Sequence, residues 1–598
     1  MSLKFDPDPD LIDPTWESAL LSERDVAGQI PVNFVSSSGV AVKAACFDTV
    51  FDRRTAGKCL SNLIAVGFRR LVVDLYWSPE RRVWSFCPVR LPSNAHIVVV
   101  STTPAAGPTA TATADASAPT VTAVRGDSNS MLYHLGPYLC SNDIDISALI
   151  DVFLDYFKDT ASQINVYTRY ITLNLHVGAS ASAPDQPAST MSGRDLPTSM
   201  EHISTLLDAR LVQFLYTPHQ LAADRTNLNE SWYQVDDGYK PIAEYFTTHT
   251  NSEGVQSTPD GWPCIKYIQL AKEKRLLLEY GSVASQLGGH SLTDKNEDIF
   301  PPNYMSAPVN VSYGKGGHPS HCFYDPDAEH VSQVNASWAI SSSIPGSAGA
   351  NNSEGLGLLS DTVHNLTACG VTPLLNSTLF HSTANSAAGI YKNISLSTSW
   401  AWAIGQPAGS TVADDIDEPK NDRCAVMDMS LNGRWRVANC TDVRHAACRV
   451  GSHPFTWALS PTAYDYQGAY SDACQGDTSL GVPRTGLENT YLHRFLQNQS
   501  TELLDPSSDD PAMREVWIDF NSRDIASCWV SGGPEAECPY ASDPQQLERR
   551  TVLVAAVAGI VICVIAALTL FVKCNANRRN SRRRNRIMQG WEYEGVPS

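Results

Sequence analysis

Thr551 to Val572 is a run of 22 residues with no charge, no proline and a single glycine. As an α-helix it would reach about 33 Å, enough to cross the hydrocarbon core of a bilayer. Each Val, Leu, Ile or Phe near its centre favours insertion by roughly 0.3–0.6 kcal/mol. The run predicts one transmembrane helix, contacting membrane lipid through Thr551–Val572. Seven basic residues from Lys573 to Arg586 follow it, whereas only Arg549 and Arg550 stand close before it. Cytoplasmic flanks carry the excess of Lys and Arg, so the tail is expected in the cytosol. Everything before Thr551 is then expected in the secretory lumen or outside the cell, as in a single-pass type I membrane protein.

That topology gives the rest of the composition its meaning. The formal net charge is −19, and the tail after Val572 holds seven basic and two acidic residues, which leaves about −24 for the ectodomain. Nucleic-acid binding rests on neutralising phosphate, so direct contact with nucleic acid is not expected. Thirteen of the fifteen cysteines precede the run. An oxidising compartment makes disulfides the default, and the odd number leaves at least one thiol over. Nine N-x-S/T sequons, at Asn229, Asn310, Asn335, Asn351, Asn365, Asn376, Asn393, Asn439 and Asn498, all fall on the ectodomain side and are the candidate glycosylation sites. The N-terminus, MSLKFDPDPDLIDPTWESALL, has no basic or apolar leader region, so a signal peptide is expected to be missing from it.

In chain order, residues 1–30 read as a polar lead-in. Residues 31–290 read as an α/β domain. Val40–Phe47, Arg69–Trp77, Ala95–Val100 and Tyr167–Val177 have strand character, Cys59–Phe68, Ile144–Phe157 and Met200–Tyr216 have helical spacing, and Trp262–Val283 reads as helix, turn and strand. Residues 101–127 and 178–199 are low-complexity and expected as disordered inserts. Residues 291–350 read as a loop-rich connector, 351–452 and 453–540 as two cysteine-containing regions, 541–550 as a stalk, 551–572 as the membrane helix and 573–598 as a basic cytosolic tail.

Two phrases, GFRRLVVDLYW (67–77) and the Trp-Pro, helix, Lys-Arg, apolar-strand unit from Trp262 to Tyr280, resemble the phosphatidylinositol-specific phospholipase C-like barrels. The resemblance implies a degenerate (β/α) barrel. That family's chemistry uses two histidines as general base and acid. The matching places here read Val32-Asn33-Phe34-Val35 and Ser85-Phe86-Cys87-Pro88, without histidine, and His96, His134 and His176 do not have the family's spacing. No catalytic residue is carried over, and Asp74 is expected to be a strand-end residue satisfied by Arg69 or backbone.

Further on, Trp400-Ala-Trp402, Glu418-Pro419-Lys420-Asn421-Asp422, Cys424, Gly433-Arg434-Trp435, Cys440 and Cys448 resemble, in order and spacing, the second half of a C-type lectin-like domain. The resemblance implies a Cys424–Cys440 disulfide and a bond from Cys448 back to Cys369 or Cys322. It also marks Glu418, Asn421 and Asp422 as a candidate ligand loop. Arg436 and Val437 follow Trp435 where the calcium-binding members supply oxygens, so no calcium, and no other cofactor, is expected. Residues 453–540, with VPRTGLENTYL and Val516-Trp517-Ile518-Asp519, look like the first half of such a domain, either as a second copy or as one fold with unusual connectivity.

Across its length the chain resembles the fungal maintenance of telomere capping protein 6 family, through RDVAGQIPVNFV (24–35), CLSNLIAVGFRRLVVDLYW (59–77), Trp400–Pro407, RCAVMDMSLNGRWRVANC (423–440), AACRVG (446–451) and VPRTGLENTYL (482–492). That resemblance implies a type I glycoprotein with a part in telomere capping. A lumenal ectodomain cannot touch a chromosome end, so that part is expected to be indirect. The favoured expectation is a binding or structural ectodomain with a glycan or glycoprotein ligand. The alternative is a lumenal hydrolase of phosphodiester or glycan bonds. A paired histidine or carboxylate set at the strand C-termini would point to the enzyme, and a closed or histidine-free mouth to binding.

Overall fold

The computed structural model describes residues 2–92, 95–100, 120–126, 130–161, 166–288, 298–313, 319–320, 322–344, 352–408, 422–540, 565 and 567–573. The chain divides into two compact units, Met1–Cys538 and Pro539–Ser598.

Seven parallel strands build the first unit: β1 (Gly39–Ala41), β2 (Arg70–Ser78), β3 (Arg169–Val177), β4 (Leu276–Val283), β5 (Ala307–Pro308), β6 (Ala339–Ser341) and β7 (Thr372–Leu375). Their order is β4-β3-β2-β1-β7-β6-β5. Neighbours in sequence are neighbours in space, and β7 returns to β1, which is how a (β/α) barrel closes. Among the described residues the ring has no ladder between β4 and β5. Phe300 spans part of that gap, its N–H donating to the Leu278 carbonyl (2.8 Å) and its carbonyl accepting from the Tyr280 N–H (3.0 Å). The Glu279 carboxylate spans more of it, accepting from the Met305 N–H and the Ser306 hydroxyl, each at 2.6 Å.

Period-two alternation sorts the side chains. Leu71, Val73, Leu75 and Trp77 of β2 and Ile171, Leu173 and Leu175 of β3 face an apolar layer to which helices α2 to α7 contribute. The helices are α1 (Pro14–Val26), α2 (Val42–Cys46), α3 (Arg53–Ala65), α4 (Ser147–Asp159), α5 (Ile203–Leu211), α6 (Ser353–Ala368) and α7 (Ala388–Ser397). Leu60 and Leu63 of α3, Val152 and Phe153 of α4, and Val363 and Leu366 of α6 pack in that layer. Local chemistry starts the helices: Asp13, Asp52 and Asn352 cap α1, α3 and α6 by accepting backbone N–H bonds. The opposite strand face carries Tyr170 and Leu277 in a second cluster with Trp262, Phe300 and Trp338.

The second lobe is one mixed sheet. Strand β8 (Cys424–Asp428) lies between β9 (Arg434–Ala438) and β11 (Glu515–Asn521), and β10 (His445–Val450) pairs with the other side of β11. Trp402, Trp435, Ile518 and Phe520 form its core, which also takes Ala19 and Val26 from α1. The Trp402 indole donates to Ser22 at 2.8 Å.

Several expectations are corrected. The barrel does not end at 290: the connector 291–350 supplies β5 and β6, and β7 and α7 come from the region assigned to 351–452. Short strands escape detection because two or three residues carry no periodicity. The split at 452 also falls, because β11 inserts between β8 and β10 in a single sheet. Residues 42–46 are helical, not a strand continuing from Val40. The insert 178–199 is packed: Met191 is buried, and the carbonyls of Asp195 and Arg194 accept from Trp77 (2.7 Å) and Arg82 (2.9 Å). Within 101–127, Thr120–Arg125 is a strand between His96–Val100 and Met131–Leu135. The lead-in is pinned to the barrel, with backbone N–H groups of Leu3, Phe5 and Asp8 donating to Asp151, Asp155 and Asn62.

Six disulfides join Cys46–Cys59, Cys87–Cys140, Cys322–Cys369, Cys424–Cys440, Cys448–Cys474 and Cys528–Cys538, and Cys264 is the leftover thiol. Cys424–Cys440 is the pair that the resemblance implied. Cys448 is a correction: its strand β10 pairs with Thr478–Leu480, which brings Cys474 alongside, while Cys322 and Cys369 bond each other. In the second unit, residues 567–573 are helical. No helix among the described residues is long and apolar enough to cross a membrane. The span expected at Thr551–Val572 lies outside the described residues for 551–564 and 566.

Candidate functional site

The C-terminal ends of β2 and β3 carry an unusual set of side chains for strands otherwise rich in Leu, Ile and Val. Parallel register sets Asp74 beside Asn174 and Tyr76 beside His176. Period two puts all four on one face, the one opposite the helix-facing leucines. Asn174 donates to Asp74 Oδ1 at 2.9 Å, and His176 Nε2 lies 3.2 Å from the same oxygen. The imidazole stacks on the Tyr76 ring, centroids 5.0 Å apart. Lys43 arrives from α2, directly after β1, and its ammonium donates to the Tyr76 hydroxyl at 2.9 Å. The Cys46–Cys59 disulfide ties α2 to α3.

Charge and burial act together here. Burial pushes the Asp74 carboxyl up, but hydrogen bonds from His176 and Asn174, and then the charges of His176 and Lys43, outweigh it and hold it below the ordinary carboxylate range. Burial pulls Lys43 down, but its bond to Tyr76 and the nearby Asp74 hold it above its ordinary value. The Tyr76 phenol is pushed up, chiefly by burial. The result is a fixed carboxylate, an imidazole oriented by it and a persistent ammonium on one partly open face.

Gly281 of β4 completes the wall. A Cβ there would stand 2.2 Å from the Asn174 side-chain oxygen, so only glycine lets Asn174 lie flat against β4. That oxygen accepts from the Ser282 N–H (2.9 Å) and hydroxyl (3.1 Å), leaving the amide free to face Asp74.

Asp74 is therefore not satisfied by Arg69; its partners are His176 and Asn174. The histidine lacking the expected spacing is the one that the barrel brings to a carboxylate. The usable signal was the pattern itself: D-x-Y closing one apolar strand and N-x-H closing the next.

The other sequence-predicted residues are scattered. Among the sequons, Asn229, Asn310, Asn335, Asn376, Asn393 and Asn498 are exposed and Asn365 and Asn439 half-buried. Asn351 lies outside the described residues. So do Glu418 and Asn421 of the candidate ligand loop, while Asp422 is exposed. Arg436 is bonded to Glu515 and lies 3.3 Å from Asp428. Among the described residues no group of three or more His, Cys, Asp or Glu could hold a metal ion.

A family model described as the MTC6 partial TIM-barrel domain matches residues 12–400. The chain belongs to the maintenance of telomere capping protein 6 family. Within this family, the protein of that name from Lachancea thermotolerans is 23% identical over 479 residues, covering 77% of this chain and 80% of the relative. The one from Debaryomyces hansenii is 21% identical over 651 residues, covering 98% and 95%. The one from Saccharomyces cerevisiae strain S288c is 24% identical over 492 residues, covering 79% and 80%. No solved structure matches. The telomere capping family's matched stretch takes in all seven barrel strands and α7 and stops where the second lobe begins.

Proposed function

We propose that this member of the telomere capping family is a single-pass type I membrane glycoprotein whose ectodomain binds an anionic ligand at the barrel mouth, and that its part in telomere capping is indirect. The mouth is not histidine-free, but it holds one histidine and one carboxylate rather than a pair of either, and the Lys43–Tyr76–Asp74–His176 cluster at the strand C-termini carries the binding reading. Barrel enzymes and binders alike place their sites at this end. The half-exposed His176 and the ammonium of Lys43 offer donors to a phosphate or carboxylate, and Asp74 with Asn174 holds them in place. A glycan bearing such a group fits both this chemistry and an acidic, glycosylated ectodomain. The apolar run at 551–572 and the basic tail support the membrane assignment, and the distribution of sequons supports the lumenal side.

The Asp74–His176 pair favours a second reading, turnover at the same mouth. An imidazole oriented by a carboxylate can take a proton from an attacking hydroxyl, and Lys43 can stabilise charge on a phosphoryl oxygen. One experiment separates the two. The full-length protein in detergent is tested on an array of neutral and phosphorylated oligosaccharides and, in parallel, with bis-p-nitrophenyl phosphate. Binding lost in Lys43→Met, without release of p-nitrophenol, supports the binding reading. Release abolished in His176→Ala supports turnover. No binding and no release by the wild type contradicts both.

A further inference from the structure

The opposite end of the barrel holds a second site. Four arginines converge on two tyrosines there. Arg69 lies over the Tyr167 ring at 4.6 Å and Arg24 at 5.2 Å, Arg169 lies over Tyr156 at 5.0 Å, and Arg275 over the same ring at 5.2 Å. Arg24 pairs with Asp25 at 2.8 Å. The other three make no ion pair among the described residues. Arg169 donates to the carbonyls of Phe68 and Ile64 and to the Tyr156 hydroxyl, and Arg275 to the carbonyls of Phe157 and Thr160. Those acceptors satisfy N–H groups but bring no negative charge, and the Nε atoms of both remain buried without a partner. Glu23 lies nearby and its charge offsets part of that of Arg69, but it forms no ion pair with any of the three, and its Oε1 accepts from Ser399 and from the Ala401 N–H. Burial pushes the Tyr156 phenol up, yet the charges of Arg169, Arg275 and Arg69 pull it below its ordinary value.

Arg69 and Arg169 line a cavity of about 350 Å³ beneath the N-terminal segment. Its remaining wall is largely apolar, with Phe5, Leu11, Ile12 and Leu20 on one side and Ile64 on the other. The acids on its lining are Asp8 and Glu17. Asp8 is engaged with Lys58 at 2.9 Å, and Glu17 is exposed. The Arg69 guanidinium makes no hydrogen bond with any described residue, whereas the terminal nitrogens of Arg169 and Arg275 do.

We infer that this cavity binds a phosphate monoester carried on a short apolar body, with Arg69 as its principal donor. One carboxylate, Glu23, stands against the charges of Arg69, Arg169 and Arg275; excess guanidinium charge is costly in a protein interior, and a dianion relieves more of it than a second carboxylate would. A forked guanidinium also matches two phosphate oxygens at once. The volume admits the phosphate and a few carbons, so a lipid would insert its head group and leave its chains outside. The same chemistry could come from free phosphate.

The test is the thermal midpoint of the full-length protein in non-ionic detergent. The probes are dihexanoyl phosphatidic acid and inorganic phosphate, each against sodium chloride of matched ionic strength. A midpoint raised by a few degrees with phosphatidic acid alone assigns the site to a lipid head group. A rise with both, or with inorganic phosphate alone, assigns it to free phosphate. In each case the rise is read in Lys43→Met, which silences the proposed mouth site, and is expected to persist there and to be abolished when Arg69→Gln is added. Where Arg69→Gln fails to fold, Leu20→Trp narrows the cavity with every charge in place and is expected to abolish the rise. No rise with either probe overturns the inference, as does a rise that survives Arg69→Gln or Leu20→Trp. A rise lost in Lys43→Met alone also overturns it, because the anion then sits at the mouth.

Discussion

Glu279 and Gly281 stand two residues apart on β4 and serve different ends. Glu279 is fully buried and stands in for the missing ladder, holding Met305 and Ser306 and accepting from Thr172 at 3.4 Å. Glu279→Ala orphans those donors and removes the carboxylate charge that favours the buried Arg70 guanidinium, so it is expected to cost about 1–3 kcal/mol for each buried donor left unpaired. Denaturant unfolding of the purified protein checks this. Gly281 is spatial: Gly281→Ala must displace Asn174 and so loosen Asp74. The expected result is weakened ligand binding or turnover at the mouth, with less loss of stability than Glu279→Ala causes. Neither role was legible beforehand. Asp74 could be placed at a strand end from its own segment, but its partners sit about a hundred residues away, and only the pairing of β2 with β3 names them.

At the scale of elements, α8 (Gly486–Gln497) joins the second lobe to the barrel through one carboxylate. Burial pushes Glu488 up, but the charges of Arg484 and Arg449 and a hydrogen bond from Tyr245 hold it down at about 2. A carboxylate depressed from 4.5 to about 2 contributes about 3 kcal/mol above pH 4.5, and this is lost as pH falls toward 2. Thermal midpoints measured between pH 5 and pH 2 should fall more steeply for the wild type than for Glu488→Gln. The disulfides give a second prediction. A non-reducing peptide map is expected to show Cys448–Cys474 and Cys322–Cys369. Cys264, buried and with its thiol pushed up to about 12, should react with iodoacetamide only after unfolding. The long strands were legible because nine alternating residues announce themselves, and α3 and α4 because their apolar residues recur three and four apart; α1, inside the stretch read as a polar lead-in, was missed although Asp13 caps it. β5 and β6, at two and three residues, did not. The pairing of Cys448 was misplaced because it followed a family pattern, whereas the local strand beside it fixes the bond.

At the scale of the whole molecule, the sequence joins an acidic, cysteine-rich, sequon-bearing body to a short basic tail through one apolar run. Six disulfides in one compact unit fit an oxidising compartment, and on the proposed topology the telomere capping role would be reached from across a membrane. That is the central claim, and protease protection tests it most directly. Sealed microsomes carrying the protein with a tag after Ser598 are treated with protease and, after lysis, with glycosidase. The account predicts that the tag is digested while the ectodomain survives and loses mass on deglycosylation. A digested, unglycosylated ectodomain with a protected tag, or with no membrane association at all, would contradict it and reopen direct contact with nuclear machinery.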